Sequence, residues 1–316
     1  MSIFIPHIQN MIKLYREIGF ELKYLEDNLI KFDCYCDEHD YKNINLSEQF
    51  AEEWIYSYKT NSKQQLAKRV RTIKYLGKYL NSIGIQAYIP KYSIKSDPPK
   101  PPTLPTNDEL LTIFQAIDLL PPTNKYPYRN YLLPVMFRLI YSCGLRVSEV
   151  CNIQINDVNF NNAKLTIWHS KGNKDRELYM DRSMLNLCIR FNKAYSNILP
   201  AREYFFQPSY DIKKFKSTYL DGVFEKILEI TGLINKHPIH PTPHSLRHLF
   251  ACKSMEKCLR MGYDFNNWIK YLSVYMGHES PQETMYYLHM ISAIIPEYAE
   301  TMKKLELGIG VIHEEY

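Results

Sequence analysis

No apolar run in this chain approaches the roughly 18 residues that a membrane-spanning helix needs, so no membrane partner is expected. The opening, MSIFIPHIQNMIKLYREIGF, lacks the cationic start, long apolar core and small-residue cleavage site of a signal peptide. A cytoplasmic protein is the expectation. There is no internal repeat and no low-complexity tract. A disulfide framework is missing too: the seven cysteines (34, 36, 143, 151, 188, 252, 258) are odd in number and fall mostly in apolar, helical contexts, where reduced thiols are expected. Cys34-x-Cys36 has no second cysteine or histidine pair at zinc-site spacing. No carboxylate cluster of metal-site type occurs, so neither metal nor other cofactor is expected.

What is present suits two folded domains. The chain has 316 residues, 45% hydrophobic and 23% charged, ordinary values for globular protein. Its net charge of +5 is modest, but the charge is unevenly placed. Residues 1–53 hold 5 Lys+Arg against 11 Asp+Glu, a balance of −6; residues 54–100 hold 10 against 1, a balance of +9. Such a concentration of positive charge suits a polyanionic partner, although a solvated helix face has the same composition.

Residues 10–36 carry Leu22, Leu25, Leu29, Phe32 and Cys36 at helical spacing. A second helix follows NINLSEQFAEEWI, where Asn45 and Glu48 have capping-box spacing. The third, KQQLAKRVRTIKYLGKYLNSIG, turns Leu66, Val70, Ile73 and Leu80 inward. Lys68, Arg69, Arg71, Lys74 and Lys78 surround that stripe, and Gly84 closes the helix. The segment KSDPPKPPTLPTND contains five prolines and reads as an extended interdomain linker. Thr106 and Glu109 then form a capping box. The helices LLTIFQAIDLL and YRNYLLPVMFRLIYSCG follow, the latter ending near Gly144. In NNAKLTIWHSKGNKDRELYM, the alternating pairs Leu165, Ile167 and Leu178, Met180 flank a turn, which predicts a β-hairpin. Helices resume in FKSTYLDGVFEKILEIT, HSLRHLFACKSMEKCL and NNWIKYLSVYMG. The expected domains are residues 1–94, a proline-rich linker 95–105, and residues 106–316.

Four polar elements in the second domain could carry chemistry. Arg146 follows a very apolar helix end and needs an anionic partner; Glu149, one helical turn on, can hold its guanidinium. Lys171 sits at the hairpin tip. In HSLRH, prolines 241 and 243 start a helix whose first turn projects His244 and Arg247 together, a good anion site. Last, GHESPQETMYYLHM places His278 before Tyr286 and Tyr287. Each element alone has an ordinary structural reading. Together they suit phosphodiester chemistry: arginines neutralise non-bridging oxygens, and a tyrosine hydroxyl becomes a nucleophile when cations and a base assist. A lysine or histidine can protonate the leaving oxygen.

The motifs GLRVSEV, SKGNKDR, HSLRH and MGHESPQETMYYLHM resemble, in order and approximate spacing, the tyrosine recombinase (phage integrase) family. The likeness covers the whole second domain, and the basic helical first domain resembles that family's core-binding domain. The implied fold is mainly α with a small β-hairpin or sheet: a helical SAM-like core-binding domain, then a catalytic domain of the DNA breaking-rejoining type. By this resemblance Arg146 is the first catalytic arginine, Glu149 its acidic support and Lys171 the general acid. His244 and Arg247 form the HxxR pair, His278 bonds the scissile phosphate, and Tyr287, nine residues after His278, is the nucleophile. Tyr286 is its packing neighbour, while His248 and His289 match common family residues in supporting places.

The segment between HSLRH and His278 is about two helical turns longer than in compact Xer-type members and resembles recombinases of transposons and other mobile elements. The implied activity is site-specific recombination of double-stranded DNA through a 3′-phosphotyrosyl intermediate and a Holliday junction, by a homo-tetramer that needs neither ATP nor metal. Lys68, Arg69, Arg71, Lys74, Lys78, Lys213, Lys214 and Lys216 are candidate phosphate contacts. A tail with Ile294, Ile295, Tyr298, Met302 and Leu305 at helical spacing packs on its own domain or on a neighbouring protomer. The rival readings are a type IB topoisomerase, which reseals its own strand, and a catalytically inactive DNA-binding accessory protein.

Overall fold

The computed structural model describes residues 2–20, 23–57, 62–95, 101–170, 174–280, 283–287 and 290. Lys171, His289 and the expected helical tail lie outside these. The chain divides into two compact units, Met1–Lys100 and Pro101–Tyr316. No helix among the described residues is long and apolar enough to cross a membrane.

The first unit is four helices: α1 (Ile5–Glu17), α2 (Lys23–Glu38), α3 (Glu48–Tyr56) and α4 (Lys63–Ser82). The helical spacing over residues 10–36 belongs to two helices rather than one. The chain leaves α1 at Ile18, and Gly19 takes a left-handed turn at φ +80°. The cap of α3 is also not the one expected: Ser47 accepts the Phe50 amide, while the Asn45 amide is bonded to the Asn43 side chain. Serine at that position has the extended φ/ψ of an N-cap, which the Asn45–Glu48 spacing did not take into account. Gly84 follows the last turn of α4 with φ +84°, as expected.

Trp54, Phe32, Leu29, Ile73, Leu76 and Leu80 form the buried centre of this unit. Arg69 belongs to it as well and is corrected here as a DNA contact. It is 7% exposed, its Nη1 donates to the Ile55 carbonyl at 3.0 Å, and its guanidinium lies over the Trp54 ring at 5.7 Å. The apolar environment tolerates the charge because a carbonyl at the end of α3 receives it and the Trp54 ring faces it. Lys68, Arg71 and Lys78 remain on the exposed face of α4, with Lys74 half-buried. After α4 the chain doubles back beside Leu46, and the Tyr88 and Tyr92 hydroxyls donate to the Glu52 carboxylate at 2.8 and 2.6 Å.

The second unit is built on α6 (Arg129–Cys143), which buries Leu132, Leu133, Val135, Met136, Phe137, Leu139, Ile140 and Cys143. Four helices lie nearby in sequence or space: α5 (Asn107–Asp118), α7 (Val147–Asn152), α8 (Arg182–Ile198) and α10 (Pro243–Arg260) all pack on it. The Thr106–Glu109 capping box that starts α5 is made in both directions. Two further helices, α9 (Ser217–Ile230) and α11 (Phe265–Met276), complete this set. The expected hairpin is β2 (Lys164–Ser170) with β3 (Lys174–Tyr179), extended to three antiparallel strands by β1 (Val158–Asn159). Leu165 pairs with Leu178 and Ile167 with Arg176, so the inward face begins apolar and ends on an arginine. The seven cysteines are free thiols, all buried except Cys34.

Gly77, in the middle of α4, faces the returning chain: a Cβ there would lie 2.4 Å from the Tyr88 carbonyl oxygen. Alanine is the better helix former by about 1 kcal/mol, yet Gly77→Ala is expected to destabilise the first unit by about 1–3 kcal/mol through the forced backbone shift. Urea unfolding followed by Trp54 fluorescence measures this, and a stabilised variant would contradict the close packing of α4 on residues 87–89.

Candidate active site

The site starts where α6 stops. Gly144 ends the helix in the left-handed region at φ +62°, which swings Arg146 to the N-terminus of the short helix α7. There its amide donates to Glu149 Oε2 and its Nη1 to Glu149 Oε1, both at 2.8 Å. The expected Arg146–Glu149 pair is thus formed, and it is one part of a larger cluster. Arg176 grips the same carboxylate with two bonds of 2.9 Å, and Arg247 Nη1 lies 3.9 Å from it. Glu149 is 7% exposed and Arg247 1%. Three guanidiniums therefore meet one carboxylate inside the protein, a local excess of positive charge suited to an anion.

Each guanidinium also donates to a helix end. Arg247 donates to the Gly144 carbonyl and to the Met276 carbonyl, each at 2.6 Å. Arg146 Nη2 reaches the Gly277 carbonyl at 2.7 Å, and Arg176 Nε the Tyr275 carbonyl at 2.8 Å. The last turn of α11 thus presents three successive carbonyls to three different arginines. Carbonyls at a helix C-terminus lack intrahelical partners and carry partial negative charge, which makes them good receptors for buried cations. Gly277, with φ +65°, ends α11; a Cβ at this position would come within 2.9 Å of Arg176 Nη1. This is why a glycine precedes His278.

α10 and the chain after α11 bring the remaining groups. Pro243 occupies the first turn of α10, so His244 and Arg247 lie on its opening turn. Burial, then Arg247 and Arg146, push His244 down to about 4, although by surface area the residue is exposed, so of the three histidines it is the one whose shift solvent screens most. His248 is pushed down to about 3 by burial and by the neighbouring His244 and Arg247; His278 goes to about 3 by burial and the arginines. His278 Nδ1 is bonded to the buried Thr284 hydroxyl at 2.6 Å, which fixes its ring. Tyr287 is 3% exposed, packed with Cys252, Met255, Leu272 and Met276. Its hydroxyl lies 3.0 Å from His248 Nδ1. Burial pushes the phenol up to about 12, while the positive charge of Arg247 pulls the other way. Tyr286 is half-buried beside it, rings 6.1 Å apart.

Of the residues expected in the site, Arg146, Glu149, His244, Arg247, His248, His278 and Tyr287 are brought together. Arg176 and Thr284 had no assigned role in the sequence. The available sign for Arg176 was a charge at an inward position of a strand whose other inward residues are apolar; Thr284 left no sign. Lys213 and Lys214 are exposed, the first paired with Glu203 at 2.8 Å, the second bonded to Asn152 at 2.8 Å. Lys216 is exposed at the start of α9. Exposed pairs of this kind are weak and exchange readily for other anions.

Residues 105–293 match the phage integrase family. The chain is similar to the tyrosine recombinase XerA of Pyrococcus furiosus, 31% identical over 68% of this chain and 68% of that protein. It is also similar to the putative integrase/recombinase y4rB of Sinorhizobium fredii, 24% identical over 97% of this chain and 98% of the other. Among solved structures, a lambda integrase dimer bound to a COC′ core site superposes with a TM-score of 0.60 at 17% identity, covering 88% of this chain and 94% of that one. The Tn1549 transposon integrase in complex with transposon right-end DNA gives 0.59 at 17%, covering 89% and 93%. These two likenesses show the fold.

Two outcomes follow from the charges. Replacing Glu149 by Gln leaves the buried arginines without their shared carboxylate, and the second unit is expected to lose about 3–5 kcal/mol of stability, measured as a drop in the midpoint of its thermal unfolding. The histidines set the response to acid. Their folded pKa values are depressed, so the unfolded chain takes up protons below about pH 6.5 that the folded site refuses. Stability is therefore expected to fall as pH drops from 6.5 towards 4, by up to about 1.4 kcal/mol per pH unit for each buried imidazole. Denaturation at stepped pH checks this: His278→Gln should flatten the slope, and an unchanged slope would contradict the assigned environment.

Proposed function

We propose a reaction scheme from the premise that the chain belongs to the phage integrase family and is a site-specific DNA recombinase. Tyr287 is the nucleophile. Arg146 and Arg247 hold the non-bridging oxygens of the scissile phosphate and the charge that develops on them. His278 and His244 donate hydrogen bonds to the same group, and Lys171 protonates the leaving 5′-oxygen. The hydroxyl attacks phosphorus to give a 3′-phosphotyrosyl link and a free 5′-hydroxyl. Because that link conserves the phosphodiester's free energy, rejoining needs neither ATP nor metal. A 5′-hydroxyl of the partner duplex then displaces the tyrosine, and two such rounds pass through a Holliday junction within a tetramer on two DNA sites.

What carries this reading is one observation: the Tyr287 hydroxyl lies against His248 and Arg247, in the same cluster as Arg146, Glu149 and Arg176. These groups come from segments up to 141 residues apart (287 − 146), an expensive arrangement to keep in a protein that only binds DNA. A topoisomerase would use the same chemistry, but the relatives named as recombinases favour exchange between sites. The residues between HSLRH and His278, which fill most of α10 and α11, and the full-length likeness to a putative integrase/recombinase support a role in a mobile element. Residues 1–94 act as the core-binding domain and residues 106–316 as the catalytic domain, in the cytoplasm. Lys68, Arg71, Lys74 and Lys78, with Lys213, Lys214 and Lys216, serve as phosphate contacts.

Trapping on a nicked suicide duplex tests the scheme, with DNA flanking the protein's own gene as the source of candidate sites. Wild type and Tyr286→Phe should form a covalent adduct, and Tyr287→Phe none. An adduct that survives Tyr287→Phe but not Tyr286→Phe would move the nucleophile by one residue. No adduct from wild type on any such duplex would favour the inactive DNA-binding reading.

A further inference from the structure

The residue that follows Arg247 has no part in the scheme above, yet it touches the nucleophile. His248 lies one helical turn beyond His244 on α10. Its Nδ1 is 3.0 Å from the Tyr287 hydroxyl, and the two rings are tilted with centroids 5.3 Å apart. The titratable and charged groups facing this imidazole are His244, edge to face at 4.5 Å, Arg247 on the same helix, His278 beyond the end of α11, and Tyr287 itself. For the Tyr287 hydroxyl to donate to Nδ1 that nitrogen must carry no proton, which is the tautomer with its hydrogen on Nε2. The strongly depressed pKa of His248 agrees with a neutral ring.

A phenol that attacks phosphorus must give up its proton as the new bond forms. Resting on the reading of Tyr287 as nucleophile, we propose that His248 Nδ1 is the group that takes this proton. As the Tyr287 Oη–P bond forms and the P–O5′ bond breaks, the proton passes from Oη to Nδ1 and leaves an imidazolium with hydrogen on both nitrogens. The 5′-oxygen receives its proton from the separate acid on its own side. On rejoining, the incoming 5′-hydroxyl gives its proton to the group that had protonated the 5′-oxygen and displaces the phenolate, and the imidazolium returns its proton to Tyr287.

The weak basicity of His248 in the resting site is consistent with this role. Burial first, and then the charge of Arg247 beside it, hold the ring neutral. A phosphodiester bound by Arg146 and Arg247 adds negative charge to the same pocket, and the five-coordinate transition state adds more. Both favour the imidazolium. The acceptor thus gains strength when the proton has to move, and the tyrosine stays protonated while the site is empty.

Single-turnover cleavage of the nicked suicide duplex by the full chain tests the proposal. One duplex carries the natural bridging 5′-oxygen and a second carries sulfur there, which leaves without protonation. His248→Asn keeps an acceptor near Nδ1 but cannot take up a proton. It is expected to cleave both duplexes about 100-fold more slowly than wild type, with a deficit that shrinks as pH rises from 7 to 9 and hydroxide replaces the missing base. Wild type on the sulfur duplex should also slow in D2O, a measurement that needs no variant to fold. Cleavage by His248→Asn within about threefold of wild type, a deficit that sulfur rescues, a deficit independent of pH, or no D2O effect on the sulfur duplex each overturns the proposal. Tyr287→Phe and wild type, run alongside, keep the two readings apart: loss of wild-type adduct sinks the nucleophile assignment, whereas wild-type adduct with a fast His248→Asn sinks only the proton acceptor.

Discussion

The Glu149 carboxylate, held between Arg146 and Arg176 with Arg247 alongside, is the interaction on which the catalytic unit depends. Its partners come from the start of α7, from the third strand and from α10. Each of those arginines also reaches a carbonyl at the end of α6 or α11. A single buried acid therefore fixes the relative placement of four segments that are distant in the chain. Burying such a group is costly unless it is well hydrogen-bonded, and here carbonyls at helix ends accept from the same arginines as the carboxylate.

The rest of the unit supplies the dry walls that this cluster needs. α6 is buried along most of its length, so its end at Gly144 is fixed in position by packing. α10 crosses it and carries His244, Arg247 and His248 on one stretch. Tyr287 stands in a second apolar cluster with residues of α10 and α11. Burial strengthens every charge effect in the pocket, which keeps three imidazoles neutral and the phenol protonated.

Much of this was legible in the chain. Helical periodicity showed α4, α5, α6 and α9, and alternation showed the hairpin, because each pattern is a local consequence of one buried face. The Thr106 capping box and the Gly144 end were legible for the same reason. Local signals misled where two choices were close. The apolar spacing ran through Gly19 as though α1 and α2 were one helix, and Ser47 displaced Asn45 as the cap of α3. α8, with an equally amphipathic pattern, was not singled out. Among the basic residues of α4, Arg69 could not be separated from Lys68 and Arg71 by composition. Only the Ile55 carbonyl and the Trp54 ring, both on α3, explain why it turns inward.

By itself the sequence determined the chemistry available: arginines, histidines and a tyrosine in an order that resembles one family, on elements whose caps and periodicity are local. The resemblance to that family also pointed to Tyr287 rather than Tyr286. The tertiary structure decided what those residues do to one another. Arg176 joins the site because the strand register sets it opposite Ile167, facing inward towards Glu149. Thr284 matters because its hydroxyl lies against His278 Nδ1, and His248 because α10 sets its Nδ1 against the Tyr287 hydroxyl. The Arg176 and His248 contacts join segments far apart in the chain, and the free energy that chooses them is the packing of whole helices and strands, which no short stretch of sequence contains.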